Sequence, residues 1–299
     1  MQKSVQKRVF ISDIVFDVVK WIFLIFFFLA TLYPILNTLA ISFNEGLDAI
    51  RGGITIFPRQ FTLDNYRSVL SKKSLMTGAY NTVLRTVIGT VSQLFLTSLL
   101  AFVLSRKEFI FRTPITLLFI FTMYFNAGLI PNYLWLNRLG FTNTFWVYII
   151  PGMISAFNLL VIRTYIRGIP ESLVESAQID GAGYFTIFMK VIIPLCKPVL
   201  ATVALFIAVG QWNSWFDTMI YNGFSERYTT LQYELMKLLS SVTSQGANAN
   251  DMKNAGASMV TPMSIRAATT IITALPIVCL YPFLQRYFIS GLTIGGVKG

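Results

Sequence analysis

The sequence predicts an all-α integral membrane protein with six transmembrane helices and a short helix–turn–helix in one connecting loop. Three observations carry that expectation. Only 12% of the 299 residues are charged and 55% are apolar, whereas a soluble domain is about one-quarter charged. Six runs contain no Asp, Glu, Lys or Arg: Trp21–Phe43, Thr86–Ser105, Thr113–Asn137, Leu139–Ile162, Pro198–Phe216 and Ala267–Gln285. Each is 19 to 25 residues long, and a helix needs about 20 apolar residues to cross the hydrocarbon core. The third observation is a polar island, Glu175–Tyr184 followed by Pro194, between the fourth and fifth runs.

Taken in order, Lys3, Lys7 and Arg8 precede the first apolar stretch. That stretch is too long for a secretory leader and no small-x-small cleavage site follows it, so it reads as a retained span. Spans are placed at 18–43, 79–105, 113–137, 142–163, 198–221 and 264–288, in one domain over 1–299. The net charge of +11 does not indicate nucleic acid. The cations are scattered at span ends, where they anchor in headgroups. Counting Lys and Arg by side gives 13 against 10, and the bias is clearest in the short Arg106–Arg112 loop. The expected topology has both termini cytoplasmic. The outer loops then run over Asn44–Met76 and Asn222–Pro262. In the second, Leu231, Leu235, Leu238 and Leu239 fall at helical spacing, and Ser244–Asp251 is small and polar.

The inner loop spans 167–197. Pro170 suits a first helical turn. Ser172 and Glu175 have capping-box spacing, in which each satisfies an orphan amide of the other. Gly181 and Gly183 interrupt the helix, each at about 1 kcal/mol relative to Ala. A second short helix is expected from Tyr184 to before Pro194, with Asp180 as its cap and Leu173, Ala177 and Phe188 on apolar faces. Taken singly, Glu175 reads equally as a cap of its own helix, Gly181 as a turn and Ala177 as packing.

The chain contains no histidine. Histidine-based acid–base catalysis, triads with a histidine base and imidazole metal sites are thereby removed. Cys196 and Cys279 make no disulfide framework and have no metal spacing. There is no Gly-x-x-x-x-Gly-Lys-Ser/Thr loop to cradle nucleotide phosphates.

Glu175-Ser-Ala-Gln-Ile-Asp180-Gly181 with Ile193-Pro194 resembles the EAA motif of bacterial ABC-importer permeases. Ser176 stands where that motif usually has alanine. Phe61–Tyr66, Asn81-Thr82, Gly128–Pro131, Trp212–Asp217 and Tyr281–Phe288 are similar to the carbohydrate-uptake class, in its LplC/YtcP-like branch, which resembles the smaller permease of the maltose system. The resemblance covers nearly the whole chain. It implies a type I importer permease with a cytoplasmic coupling loop: Glu175 as polar anchor toward an ATPase, Ala177 as close-packing position, Gly181 as turn, with Asp180 and Pro194 completing the motif. It implies two ATPase subunits carrying ATP and Mg, a second permease, an extracellular binding protein and the bacterial plasma membrane as surroundings. No cofactor is expected on this chain. The implied cargo is an oligosaccharide derived from a complex polysaccharide, and the glycine-rich tail from Gly291 is a candidate to reach between the ATPases.

Gln211, Trp212, Asn213, Trp215 and Asp217 lie near the outer end of the fifth expected span. The pairs 212/216, 211/215 and 213/217 share faces if that span is one helix. Asn126 and Asn158 are further polar candidates for a substrate path. An interfacial aromatic belt for the tryptophans, and helix–helix hydrogen bonding for the asparagines, are the competing readings. Arg85 and Asp217 are charges inside two spans, and intramembrane charges pair or line a cavity. They are expected to pair or to share an outer cavity. A permease for peptides or amino acids, and a membrane-embedded transferase, are the alternatives. The missing histidine and the scarcity of loop carboxylates disfavour the transferase.

Overall fold

The computed structural model describes the backbone over residues 11–245 and 260–296, and side chains over 14–240 and 260–279. Among the described residues the only regular elements are helices joined by loops and turns, apart from one isolated antiparallel bridge, Asn44 to Phe61. In chain order the helices are α1 (Ile11–Ser42), α2 (Gly46–Ile50), α3 (Asp64–Ser71), α4 (Lys73–Ser105), α5 (Arg112–Tyr124), α6 (Leu129–Arg138), α7 (Ala156–Arg167), α8 (Ser172–Ile179), α9 (Tyr184–Ile187), α10 (Ile193–Leu195), α11 (Lys197–Asn213), α12 (Phe216–Asn222), α13 (Leu231–Gln245) and α14 (Pro262–Gly296). A 3-10 turn at Phe145–Tyr148 and a π turn at Phe188–Ile192 complete the set. The chain divides into two compact units, Met1–Val69 with Val242–Ile272 and Leu70–Ser241 with Thr273–Gly299.

In the first unit, α1 carries no charge after Lys20 and is exposed along most of its length, as suits a helix meeting lipid. Its end is tied to the following loop by fully buried asparagines. Asn44 Oδ1 accepts from the Arg59 and Gln60 amides at 2.7 and 2.9 Å, while its Nδ2 donates to Asp48 Oδ2 at 2.9 Å. Asn65 Nδ2 donates to the Ser42 and Asn44 carbonyls at 2.9 and 2.8 Å. Phe43 stacks on Phe61 and Tyr66. The Phe61–Tyr66 segment thus closes the loop onto α1. Thr261 caps α14: its Oγ1 accepts from the Ser264 amide at 3.4 Å while its own amide donates to Ser264 Oγ at 3.1 Å, and Pro262 occupies the first helical turn, where no amide is needed.

In the second unit, α4 is the central rod, flanked by α7 and α11. Phe102, Leu104, Leu159, Ile162, Ile187, Phe188 and Val203 form its buried core. The Leu231–Leu239 pattern lies on α13, with Leu231 and Leu235 buried.

The six apolar runs are not six uninterrupted helices. The segments Ile14–Ser42, Lys73–Ser105 and Pro262–Cys279 are each long and apolar enough to cross a bilayer. Two bent pairs bring the number among the described residues to five if each is one span: α5 with α6, bent by 119°, and Tyr184–Leu195 with α11, bent by 85°. The expected span 113–137 breaks because Gly128 adopts φ +94° and its amide donates to Asn126 Oδ1 at 2.9 Å. The expected span 142–163 is a 3-10 turn and a Pro151-Gly152 turn before α7, which Ser155 caps through the Asn158 amide. The expected span 198–221 breaks between Asn213 and Phe216. Residues 246–251 of the polar stretch and 297–299 of the glycine-rich tail lie outside the described residues, as do the side chains of Tyr281–Phe288. The tail backbone is helical as far as Gly296.

Two outcomes follow for the α1 loop. Asn65→Ala orphans two buried carbonyls, at about 1–3 kcal/mol for each unsatisfied group, so the purified protein is expected to unfold at lower temperature. An unchanged midpoint would contradict that role. The Asn44 hydrogen bond, followed by Arg59, holds the Asp48 carboxyl below the usual carboxylate range. A depressed carboxyl stabilises fully above its unfolded value of about 3.9 and loses that contribution as pH falls through the folded value. Melting of wild type and Asp48→Asn is therefore expected to differ by a constant amount over roughly pH 5–8 and to converge only below about pH 4.

Candidate functional site

In the loop after α7, α8 opens on backbone bonds without a side-chain cap. The Val174 and Glu175 amides donate to the Glu171 carbonyl at 2.8 and 3.1 Å. The expected Ser172–Glu175 capping box does not form. Glu171, already helical at φ −59° and ψ −33°, holds the cap position, which puts Ser172 one residue inside the helix. The far end of α8 closes as a Schellman turn: the Gly181 amide donates to Gln178 O, and the Ala182 amide to Ala177 O, both at 2.9 Å. Gly181 has φ +81°, and no atom lies within 4 Å of where a Cβ would stand. Its glycine is required by conformation and not by crowding.

Asp180 is the exposed C-cap residue of α8. It does not cap α9 as expected. The left-handed turn at Gly181 leaves Asp180 on the first helix, and Gly183 precedes α9 without a side-chain cap. Pro194 lies in the first turn of α10, directly after the π turn. A proline offers no N–H to the carbonyl four residues back, and a widened turn accommodates that loss. Ala177 is half-buried against the core that holds Val174, Ile187, Phe188 and Ile192. Leu173, expected on the apolar face, is exposed; Val174 takes the inward position. The outward surface presents Glu175 together with Leu173, Ile179 (87% exposed), Tyr184, Phe185 and Met189.

Two contacts at the base of the loop are not evident from sequence. Arg106 Nη1 donates to Glu171 Oε1 at 2.9 Å, and Arg163 Nε donates to the Leu104 carbonyl at 2.9 Å. Both cations sit at span ends, where headgroup anchoring is the ordinary reading.

Toward the other half of α4, Arg85 is 2% exposed and pairs with Asp217 in bidentate fashion: Nη2 to Oδ2 at 2.5 Å and Nη1 to Oδ1 at 3.2 Å. Its Nε donates to Gln211 Oε1 at 3.0 Å, and its guanidinium lies 4.4 Å from the Tyr148 ring centroid. Asp217 Oδ1 also accepts from Ser214 Oγ and the Thr218 amide, at 2.9 and 2.8 Å. The network is thus assembled across the break between α11 and α12. Gly89 leaves room for it, since a Cβ there would lie 2.9 Å from Gln211 Nε2. Asn81 and Thr82 hold the strap before α13. Asn81 Nδ2 donates to Arg227 O and Thr229 O, and Thr82 Oγ1 accepts from the Leu231 amide.

The remaining path candidates are largely engaged within the chain. Gln211 Nε2 donates to Tyr148 O at 3.3 Å, and Trp212 Nε1 donates to Thr273 O at 2.9 Å. Asn213, exposed, accepts from Gln232 Nε2 at 3.2 Å. Trp215 meets Phe216 edge-on, and Asn158 is buried. Asn126 is exposed at the α5–α6 bend. The i, i+4 faces expected for residues 211–217 do not exist, because the helix ends between them. Tyr148 was not among the sequence candidates; no charge or motif marks it.

Removing one partner of a buried ion pair leaves an uncompensated charge and costs about 3–5 kcal/mol, whereas apolar replacement of both is often neutral. Arg85→Met and Asp217→Leu are each expected to lower the unfolding midpoint more than the double variant does. Additive losses would contradict a pairwise role.

Comparison with known proteins places this arrangement. Residues 74–294 match the family described as binding-protein-dependent transport system inner membrane component. The chain is 35% identical over 285 residues to the polygalacturonan/rhamnogalacturonan transport system permease protein YtcP of Bacillus subtilis, covering 95% of this chain and 98% of that one. It is 38% identical over 288 residues to protein LplC of the same organism, covering 95% of each. A crystal structure of a bacterial ABC transporter involved in import of the acidic polysaccharide alginate contains a chain that superposes with a TM-score of 0.86 at 30% identity, over 95% of this chain and all of that one. The chain therefore belongs to the binding-protein-dependent transport system inner membrane component family and has the type I ABC permease fold.

Proposed function

We propose that this chain is one of two permease subunits of an ATP-driven importer, and that its cargo is an oligosaccharide released from a complex polysaccharide. The observation that carries the reading is the 170–196 helix–turn–helix. Its inner face is core, and its outer face offers Glu175 among exposed apolar side chains. Such a face on a membrane-bound chain suits a soluble partner with a complementary groove. The partner is an ATPase subunit, which binds ATP and Mg. The sequence of this permease holds no phosphate-cradling loop of its own.

In this reading the loop and both termini face the cytoplasm. Closure of two ATPases on ATP displaces the loop together with that of a second permease, and the helical bundle exchanges inward-open for outward-open access. An extracellular binding protein delivers the sugar to the opened side. The sugar-polymer substrates named for the relatives support an oligosaccharide cargo. Asn213, which is exposed, and the half-buried rings of Trp212 and Trp215 keep surface to offer a sugar. Gln211 and Asp217 act by shaping the helix break.

The test is ATP hydrolysis by the reconstituted complex with binding protein and a panel of oligogalacturonides and arabino-oligosaccharides. Sugar-stimulated hydrolysis is expected in wild type. Glu175→Ala and Gly181→Asp are expected to abolish stimulation or to release the ATPase during purification. A left-handed non-glycine residue alone costs about 1–2 kcal/mol. Undiminished assembly and stimulation in both variants would reduce the loop to a capped turn and overturn the reading.

A further inference from the structure

Core contacts between the loop and α4 are apolar and nondirectional, whereas one polar contact joins them side chain to side chain. Glu171 belongs to the loop: its carbonyl accepts the first amides of α8. Its carboxylate, 37% exposed, reaches Arg106 at the end of α4. Arg106 is buried, lies over the Phe102 ring at 5.1 Å and donates from Nε to Ser105 Oγ at 3.2 Å. The guanidinium is thereby held to the last turn of α4 on one side and to the first turn of α8 on the other. Arg163 grips the same turn from α7 through the Leu104 carbonyl. A cavity of about 340 Å³ opens beside the pair, lined by Phe102, Val103, Arg106, Glu108, Phe109 and Tyr184.

The rod between this pair and the Arg85 network contains no proline, the usual cause of a sharp kink. From Arg85 to Ser105 it extends about 30 Å at 1.5 Å per residue. Its other end is bonded to the α11–α12 break and to the strap before α13. A displacement applied to Arg106 is therefore delivered along α4 to those elements, and the cavity gives the loop room to move.

We propose that Arg106 and Glu171 form the strut through which loop displacement drives α4; both are positioning residues for transport. The inference rests on the reading of the loop as the ATPase dock. The strut transmits, and the docking face on Glu175 and its neighbours is separate from it.

The test uses the whole reconstituted complex, with the binding protein loaded from a polygalacturonan digest. Basal and stimulated ATP hydrolysis are measured for wild type, Arg106→Gln, Glu171→Gln, the charge reversal Arg106→Glu with Glu171→Arg, and the control Glu108→Gln, which alters the same cavity without touching the pair. Glu171→Gln is expected to retain the ATPase and the basal rate while stimulation falls at least about five-fold, the lower end of ordinary coupling between sites. Arg106→Gln should match it, the reversal should recover stimulation, and Glu108→Gln should leave it unchanged. Should Arg106→Gln fail to assemble, Glu171→Gln decides alone, because its carboxylate is partly solvated. Full stimulation in Glu171→Gln would overturn the strut while leaving the importer reading intact. Absence of stimulation in wild type would overturn the importer reading, and the strut with it.

Discussion

A guanidinium that is 2% exposed inside an apolar bundle dictates much of what surrounds it. Arg85 has five donors and no acceptor. It must collect acceptors, and it collects Asp217, Gln211 and the Ser214 carbonyl, with the face of Tyr148 beneath it. Those acceptors come from both sides of the break between α11 and α12. The break leaves backbone groups unsatisfied, and the cation with its carboxylate supplies partners for them. An uninterrupted helix through residues 211–217 would carry Ser214 and Asp217 elsewhere and leave Arg85 unpaired. The irregular backbone and the buried charge therefore require each other.

The same rod ends in a second cation. Arg106 is neutralised from the loop, so α4 is bonded at one end to the element that we read as the ATPase dock and, more than three turns in from its other end, to the broken helix. Apolar packing along the middle of the rod supplies stability but little direction. Direction comes from the charged and amide side chains at its ends. This division suits a machine that must move one element against another without unfolding either.

What could be read from the sequence follows from what each signal reports. Long uncharged runs report burial in lipid, and α1, α4 and α14 answer to them. Such runs do not report backbone continuity. Asn126 with Gly128, Pro151 with Gly152, and Ser214 interrupt runs that carry no charge along their whole length. Gly181 was legible because a glycine between two short amphipathic stretches has few other uses. The cap was not, because Glu171 starts α8 one residue before the Ser–Glu spacing would place it. Arg85 and Asp217 stood out as charges within apolar segments. Arg106 and Glu171 did not, since a charge at the end of a span usually meets headgroups, and a pair separated by two spans has no local signature. Tyr148 and the Asn44–Asn65 knot were invisible for the related reason that most of their bonds run to backbone amides and carbonyls.

The central claim is that this permease forms part of a route by which ATP moves an oligosaccharide across a membrane. The most direct measurement is accumulation of labelled oligogalacturonide inside sealed proteoliposomes holding the complex, with ATP at the loop side and binding protein at the other. The account predicts uptake that requires both ATP and binding protein and that stops when Gly181 is replaced by Asp. Intact complexes that hydrolyse ATP while neither oligogalacturonides nor arabino-oligosaccharides cross would contradict it.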